Sequence, residues 1–137
     1  MKGQSRVFEQ VLLFGIGVAI FVSSFAIFQM YQTEYTLTAS DDQIRGIRDL
    51  VYNHITEMTI NEDLNSSIVI KIPKQIGGEG YSISVDDDDL TVRMEKSGKL
   101  ASTEMTSLSM LYSFSGETRS SGGEIIIYKR DYNIIIE

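Results

Sequence analysis

The feature that most constrains this chain is an apolar run near its N-terminus. Residues 11–31 carry no charged side chain. A helix rising about 1.5 Å per residue needs about 20 residues to cross the roughly 30 Å hydrocarbon core of a bilayer, which is the length of this run. The run contains no proline, and membrane helices tolerate glycines such as Gly15 and Gly17. We therefore predict a transmembrane helix rather than the buried helix of a soluble protein.

The charges on either side of the run predict its orientation. Lys2 and Arg6 precede it, whereas the first charges after it are Glu34, Asp41 and Asp42. Basic residues stay on the cytoplasmic side of the cell membrane. We therefore predict that the N-terminus is cytoplasmic and that the chain after the apolar run is extracellular.

The composition excludes several classes of function. The net charge of −7 argues against nucleic-acid binding, because phosphate contacts need a basic surface. The chain has no cysteine and a single histidine, His54. Most metal-binding sites and most catalytic sites with an activated nucleophile need more of these residues, so the composition argues against both. No phosphate-binding or dinucleotide-binding motif is present. We predict a protein that is not an enzyme and that needs no cofactor or metal.

The residues before the apolar run suggest how it is processed. An ordinary secretory signal has its small-residue cleavage site after the apolar segment, but here Lys2-Gly3-Gln4-Ser5 and Glu9 come before it. This layout resembles the class III signal peptide of type IV pilins, in particular of archaeal pilin-like proteins. The resemblance covers about the first 30 residues, and Glu9 lies one position later than the acidic residue of the family. It implies a leader of residues 1–3, cut between Gly3 and Gln4, and a helix retained after cleavage.

The resemblance also implies assembly. In pilin-like proteins an acidic residue near the new N-terminus pairs with a neighbour's terminal amine, so Glu9 would pair with the amine of Gln4 on an adjacent subunit. The alternative is a glutamate at the membrane interface with no partner. Gly15, Gly17 and Ala19 would let helices approach closely, although small residues are also ordinary in membrane helices. The implied partners are further copies, related pilin-like subunits, a prepilin peptidase, an assembly ATPase and a platform membrane protein.

The segment after the apolar run is predicted to be an amphipathic helix. Apolar residues recur there at spacings of three and four: Ile44, Ile47, Leu50, Val51, Ile55 and Met58. Ser40 and Gln43 match a capping box, which would restart a helix at that point. One continuous helix over residues 4–60 is the other geometry. We favour it because pilins have a single long N-terminal helix.

The C-terminal half has the alternating pattern of β-strands. We predict strands at Ile68–Ile72, Tyr81–Val85 and Leu90–Met94, then a loop after residue 100 followed by a strand near Ser109–Ser115. A flexible turn is predicted over Gly116–Gly123, and a final hairpin pairs Glu124–Lys129 with Tyr132–Glu137.

Two polar stretches in this half are candidate sites. Asp86–Asp89 is predicted to be a solvated hairpin turn rather than a calcium site, because the ligand spacing of an EF-hand is absent. Asn65 begins an Asn-Ser-Ser sequon in a polar linker over residues 61–67, so it is a candidate for glycosylation on an exposed loop. A chance match is the alternative.

These observations predict an α+β, pilin-like chain. A leader of residues 1–3 precedes a long helix of residues 4–60, with a membrane span over 11–31 and an amphipathic half over 40–60. The amphipathic half packs on a small extracellular antiparallel β domain of residues 61–137. The predicted function is a structural subunit, major or minor, of a type IV pilus-like surface filament, anchored in the membrane before assembly. The alternative is a single-pass anchor for an extracellular binding module that does not polymerise.

Overall fold

The computed structural model describes residues 2–137, and their side chains except at residues 2, 3, 36 and 37. The predicted leader therefore includes one residue, Met1, that lies outside the described residues. The elements, in chain order, are α1 (Lys2–Ile60), β1 (Asn65–Lys71), β2 (Tyr81–Val85), β3 (Asp89–Met94), β4 (Leu100–Glu104), α2 (Thr106–Ser109), β5 (Ser113–Arg119), a 3₁₀ turn (Ser120–Gly122), β6 (Glu124–Arg130) and β7 (Asn133–Ile136).

The chain divides into two compact units, Met1–Thr38 and Ala39–Glu137, and α1 contributes to both. α1 remains helical through Ser40, so the alternative of a restart at the capping box is wrong. No proline or glycine occurs between residues 32 and 43, and without such a breaker the helical hydrogen bonds continue. The first unit has no buried residue between positions 4 and 35.

The second unit contains a seven-stranded sheet in the order β1-β6-β7-β5-β2-β3-β4. The prediction of a small antiparallel sheet is wrong in two respects. The sheet has seven strands, so it is not small, and β5 and β7 pair in parallel. β6 runs antiparallel to β5 but does not lie beside it. The turn at Asp131–Tyr132 folds β7 back into the space between them, so β7 is antiparallel to β6 and parallel to β5.

Three further expectations need correction. The loop expected after residue 100 contains a strand, β4, which pairs with β3. The strand expected near Ser109–Ser115 is β5, and it runs through Gly116 to Arg119, where we expected a turn. The linker expected over residues 61–67 ends early, because β1 begins at Asn65 and pairs with β6.

The core lies between the sheet and the amphipathic face of α1. Five of the six predicted face residues are buried: Ile44, Ile47, Val51, Ile55 and Met58. The inward positions of the β2–β3 hairpin are buried as the alternation predicted: Tyr81, Ile83, Val85, Leu90, Val92 and Met94. The final hairpin adds Ile125, Ile127, Ile134 and Ile136. Burial of this apolar area is the main driving force that holds α1 on the sheet.

Candidate membrane and assembly segment

The first unit presents its apolar side chains outward in every direction. Phe14, Phe21 and Met30 are each more than 70% exposed. Phe14 and Phe21, seven positions apart, share one side of α1, and Met30, nine positions after Phe21, lies on the opposite side. Among the described residues, α1 is the one helix long and apolar enough to cross a membrane. Apolar area of this extent, uncovered within its own chain, is typical of a surface that lipid or other protein covers.

Two hydroxyl groups of the first unit are satisfied within the helix. The hydroxyl of Ser23 donates to the carbonyl oxygen of Ala19 at 2.8 Å, and that of Thr33 donates to the carbonyl oxygen of Gln29 at 3.0 Å. Each bond connects positions i and i−4, so it needs no group outside the helix. A hydroxyl bonded in this way can enter hydrocarbon without an unmet donor.

The small residues predicted to mark an assembly face do not all lie on one face. Gly15, Ala19 and Ala26 are separated by four and seven positions, so they share one side of α1. Gly17 lies nearly opposite to them at 3.6 residues per turn. An added Cβ at Gly15 or Gly17 would meet no heavy atom within 4 Å, so the chain itself does not require glycine there.

The predicted processing and pairing residues lie in the first turns of α1. Gln4 and Glu9 are both exposed, and Gly3 is helical. No other described side chain forms an ion pair with Glu9. Its carboxylate is therefore available at the end of the apolar segment. A partner from a second chain would neutralise it.

The other candidate residues lie in the second unit. Asn65 is exposed, although it is the first residue of β1, opposite Arg130, rather than part of a loop. His54 is half-buried on α1, with Nδ1 2.8 Å from the carbonyl oxygen of Leu50.

The aspartates of the β2–β3 turn have structural partners. Oδ1 of Asp86 accepts from the backbone N–H groups of Asp88 at 3.0 Å and Asp89 at 2.7 Å. Oδ1 of Asp87 accepts from the N–H of Phe114 at 2.7 Å, which connects the turn to β5. No group of three or more potential metal ligands occurs in the part of the chain that the structure describes. Two of the four carboxylates in this turn, those of Asp86 and Asp87, therefore hold backbone groups in place.

A buried lysine connects the end of α1 to the sheet. Lys129 on β6 is 3% exposed, and its ammonium donates to the carbonyl oxygens of Met58 and Asn61. Its Nζ also lies 5.2 Å from the centre of the Tyr112 ring, within range of a cation–π interaction. Sequence reasoning did not single it out, although the alternation Ile125, Ile127, Lys129 places it inward.

Two groups in the second unit have shifted pKa values. Burial raises the pKa of the Tyr81 phenol to about 12, and this phenol donates to the carbonyl oxygen of Pro73 at 2.6 Å. The hydroxyl of Ser97, with the N–H groups of Ser97 and Lys96, holds the pKa of Glu79 below its ordinary value. Both groups hold the loop between β1 and β2 in place: Tyr81 binds it at Pro73, and Glu79 connects it to Lys96 and Ser97.

The sequence matches no protein-family model and no curated protein, and the structure matches no solved structure.

Proposed function

We propose that this chain is a structural subunit of a type IV pilus-like surface filament, held in the membrane by residues 11–31 until it assembles. The observation that carries the proposal is the first unit, which is apolar on all sides and has no burial of its own between residues 4 and 35. The membrane covers such a helix before assembly, and other copies of the helix cover it afterwards. The resemblance of Lys2-Gly3-Gln4-Ser5 and Glu9 to a class III signal peptide supports a retained helix.

Glu9 is central to this function. Cleavage between Gly3 and Gln4 would create a cationic amine near the start of the apolar segment. A carboxylate and an ammonium are tolerated between packed helices only when they are paired. The Glu9 carboxylate of one subunit is therefore the group that accepts the new amine of its neighbour, with Gly15 and Ala19 on a face where helices can approach closely.

The experiment compares Glu9→Gln with Glu34→Gln in cells that produce the full chain. Both residues are exposed glutamates on the first unit, but Glu34 lies beyond the apolar run. We expect Glu9→Gln to enter the membrane normally and to lose surface filaments in electron micrographs, while Glu34→Gln keeps them. Loss of filaments in both variants, or in neither, would contradict the role of Glu9. Wild-type cells without filaments that contain this chain would support the permanent binding module instead.

A further inference from the structure

The two ends of the sheet in the second unit differ in charge and in exposed apolar area. The strand register brings together, at one end, the start of β1, the end of β6 and the starts of β7 and β5. The end of β2, the start of β3 and the end of β4 lie at the same end. The C-terminus of α1 is also there, because Lys129 binds Met58 and Asn61. We call this the acidic end.

The acidic end carries eight carboxylates against two cations, a net charge of −6, and one of those cations, Lys129, is buried. All eight carboxylate residues are exposed: residues 62–63, Asp86–Asp89, Glu104 and Asp131. Two such ends would repel each other at physiological ionic strength when brought into contact. Self-association through two copies of this same surface is therefore disfavoured.

An apolar knob protrudes from the same end. Met110 is 81% exposed and Leu111 is 70% exposed, in the segment between α2 and β5. The exposed ring of Tyr132 lies beside this segment, because the N–H of Ser113 donates to the carbonyl oxygen of Tyr132 at 2.8 Å. An exposed apolar patch with a charged rim is typical of a surface that binds another protein.

The opposite end, which we call the mixed end, has a hollow of about 220 Å³ with complementary character. Its apolar lining is Ile44, Leu100 and Ala101. Its polar lining is Arg45 together with Lys99 and Asp41, which form an ion pair at 2.8 Å. Leu100 is 56% exposed, so the apolar lining reaches the surface. The mixed end as a whole has no net charge, since it has six cations and six carboxylates: Arg45, Lys71, Lys74, Lys96, Lys99 and Arg119 with Asp41, Asp42, Glu79, Glu95, Glu124 and Glu137.

We propose that the knob at Met110 and Leu111 docks into the hollow at Arg45, Lys99 and Leu100 of a second copy of this chain. The apolar surfaces then cover each other, and the acidic rim of the knob meets Arg45, while Lys99 stays bridged to Asp41. The contact uses two different surfaces, so each docked copy leaves one of each free. Such a heterologous contact propagates into an open chain of subunits rather than closing as a dimer.

This inference rests on the proposed function, because it supplies the contact between second units of neighbouring subunits. A contact of this size is weak by itself. Packing of the apolar helices raises the effective concentration of one second unit near the next, so a weak contact between them is enough to set the spacing of subunits.

The test uses cysteine cross-linking in native membranes, for which the absence of natural cysteine makes each introduced thiol unique. Cells produce two differently tagged full chains, Leu111→Cys and Leu100→Cys, and a short bismaleimide is added. The control pairs Leu111→Cys with Val69→Cys, because Val69 is 57% exposed on β1 and belongs to neither surface. We expect the first pair to give about tenfold more mixed cross-link than the control, the ratio that a preference of about 1.4 kcal/mol maintains.

Addition of Arg45→Glu to the Leu100→Cys chain should remove most of this cross-link, since it places like charge opposite the acidic rim. Equal yields from the two pairs would overturn the proposed contact, as would a Leu111→Cys cross-link to another Leu111→Cys chain in place of the mixed product. Electron microscopy of the same cells separates the two proposals. Filaments without the mixed cross-link overturn this contact alone. The mixed cross-link without filaments supports the contact and contradicts the filament function.

Discussion

The ammonium of Lys129 lies 2.9 Å from the carbonyl oxygen of Met58, in the last turn of α1. The same ammonium donates to the carbonyl oxygen of Asn61 at 2.6 Å, just beyond the helix. A helix C-terminus has carbonyl groups without intrahelical partners and carries partial negative charge, so a cation satisfies both needs. The hydroxyl of Tyr112 donates to the carbonyl oxygen of Thr59 at 3.2 Å. One strand and one loop thus hold the end of the long helix.

We expect Lys129→Met to lower the free energy of unfolding of the second unit by about 2–3 kcal/mol, since hydrogen bonds to a charged donor contribute more than neutral ones. Methionine fills most of the lysine volume, so the loss reports the ammonium rather than a cavity. The control is Arg130→Met, which changes the next, exposed residue on the same strand. Urea unfolding of the full chain in detergent, followed by tyrosine circular dichroism, gives the measurement. Equal stability of the two variants would refute the anchoring role of Lys129.

Gly116 is required where β5 passes β7. Its φ of 132° lies in the region that favours glycine, and an added Cβ would collide with the backbone oxygen of Ile136. We expect Gly116→Ala to destabilise the second unit by about 3 kcal/mol, from backbone strain and displacement of β7.

Gly46 provides the opposite control for this prediction. It lies inside α1, and an added Cβ there would meet nothing within 4 Å. Gly46→Ala should therefore stabilise the second unit by about 0.5–1 kcal/mol, because alanine loses less conformational entropy in a helix. Thermal unfolding of both variants checks the pair, and an unaffected Gly116→Ala would be inconsistent with the parallel β5–β7 pairing.

Stability should fall at alkaline pH because of Tyr81. Its folded pKa of about 12 exceeds the ordinary value of 10.0, so the folded state favours the protonated phenol. The resulting stabilisation is present in full below pH 10 and is lost as the pH rises from 10 to 12. Tyr81→Phe should lose about 1 kcal/mol at neutral pH, since the carbonyl of Pro73 loses its donor, but should show a shallower alkaline decline. An unchanged slope of stability against pH would contradict this assignment.

Acidic pH should weaken the hydrogen bonds by which the Glu79 carboxylate holds the loop before β2. The pKa of Glu79 lies below its ordinary value of 4.5, chiefly because the Ser97 hydroxyl donates to its carboxylate. The stabilisation is present above pH 4.5 and is lost as the pH falls through the lower, folded pKa. Hydrogen exchange of the Lys96 and Ser97 amides should accelerate in Glu79→Gln and not in Glu95→Gln, an exposed neighbour. Equal hydrogen-exchange rates of these amides in the two variants would contradict the proposed role of Glu79 in holding them.

Local patterns predicted those parts of the fold in which one face is apolar. The spacing of Ile44, Ile47 and Val51 predicted the buried face of α1, and alternation predicted the β2–β3 hairpin. β4 was missed because it is an edge strand with one buried residue, Ala101, so it has no alternation to detect. The parallel pairing of β5 and β7 depends on which strands become neighbours, and no local pattern carries that information.

Of the two candidate surfaces, the first unit could be predicted from the sequence and the acidic end could not. The long uncharged run predicted a membrane helix rather than a buried one, and its side chains between residues 4 and 35 are exposed. The acidic end could not be predicted, since it joins residues 62–63, the Asp86–Asp89 turn, Glu104 and Asp131 only through the strand register.

The central claim is that the apolar helix remains in the mature protein and joins its copies together. The most direct measurement is the intact mass and N-terminal sequence of this chain in filaments sheared from native cells and in the membranes of the same cells. The account predicts a subunit that begins at Gln4 and still contains residues 11–31. A chain that begins after residue 31, or one that keeps Met1 and never leaves the membrane fraction, would contradict it.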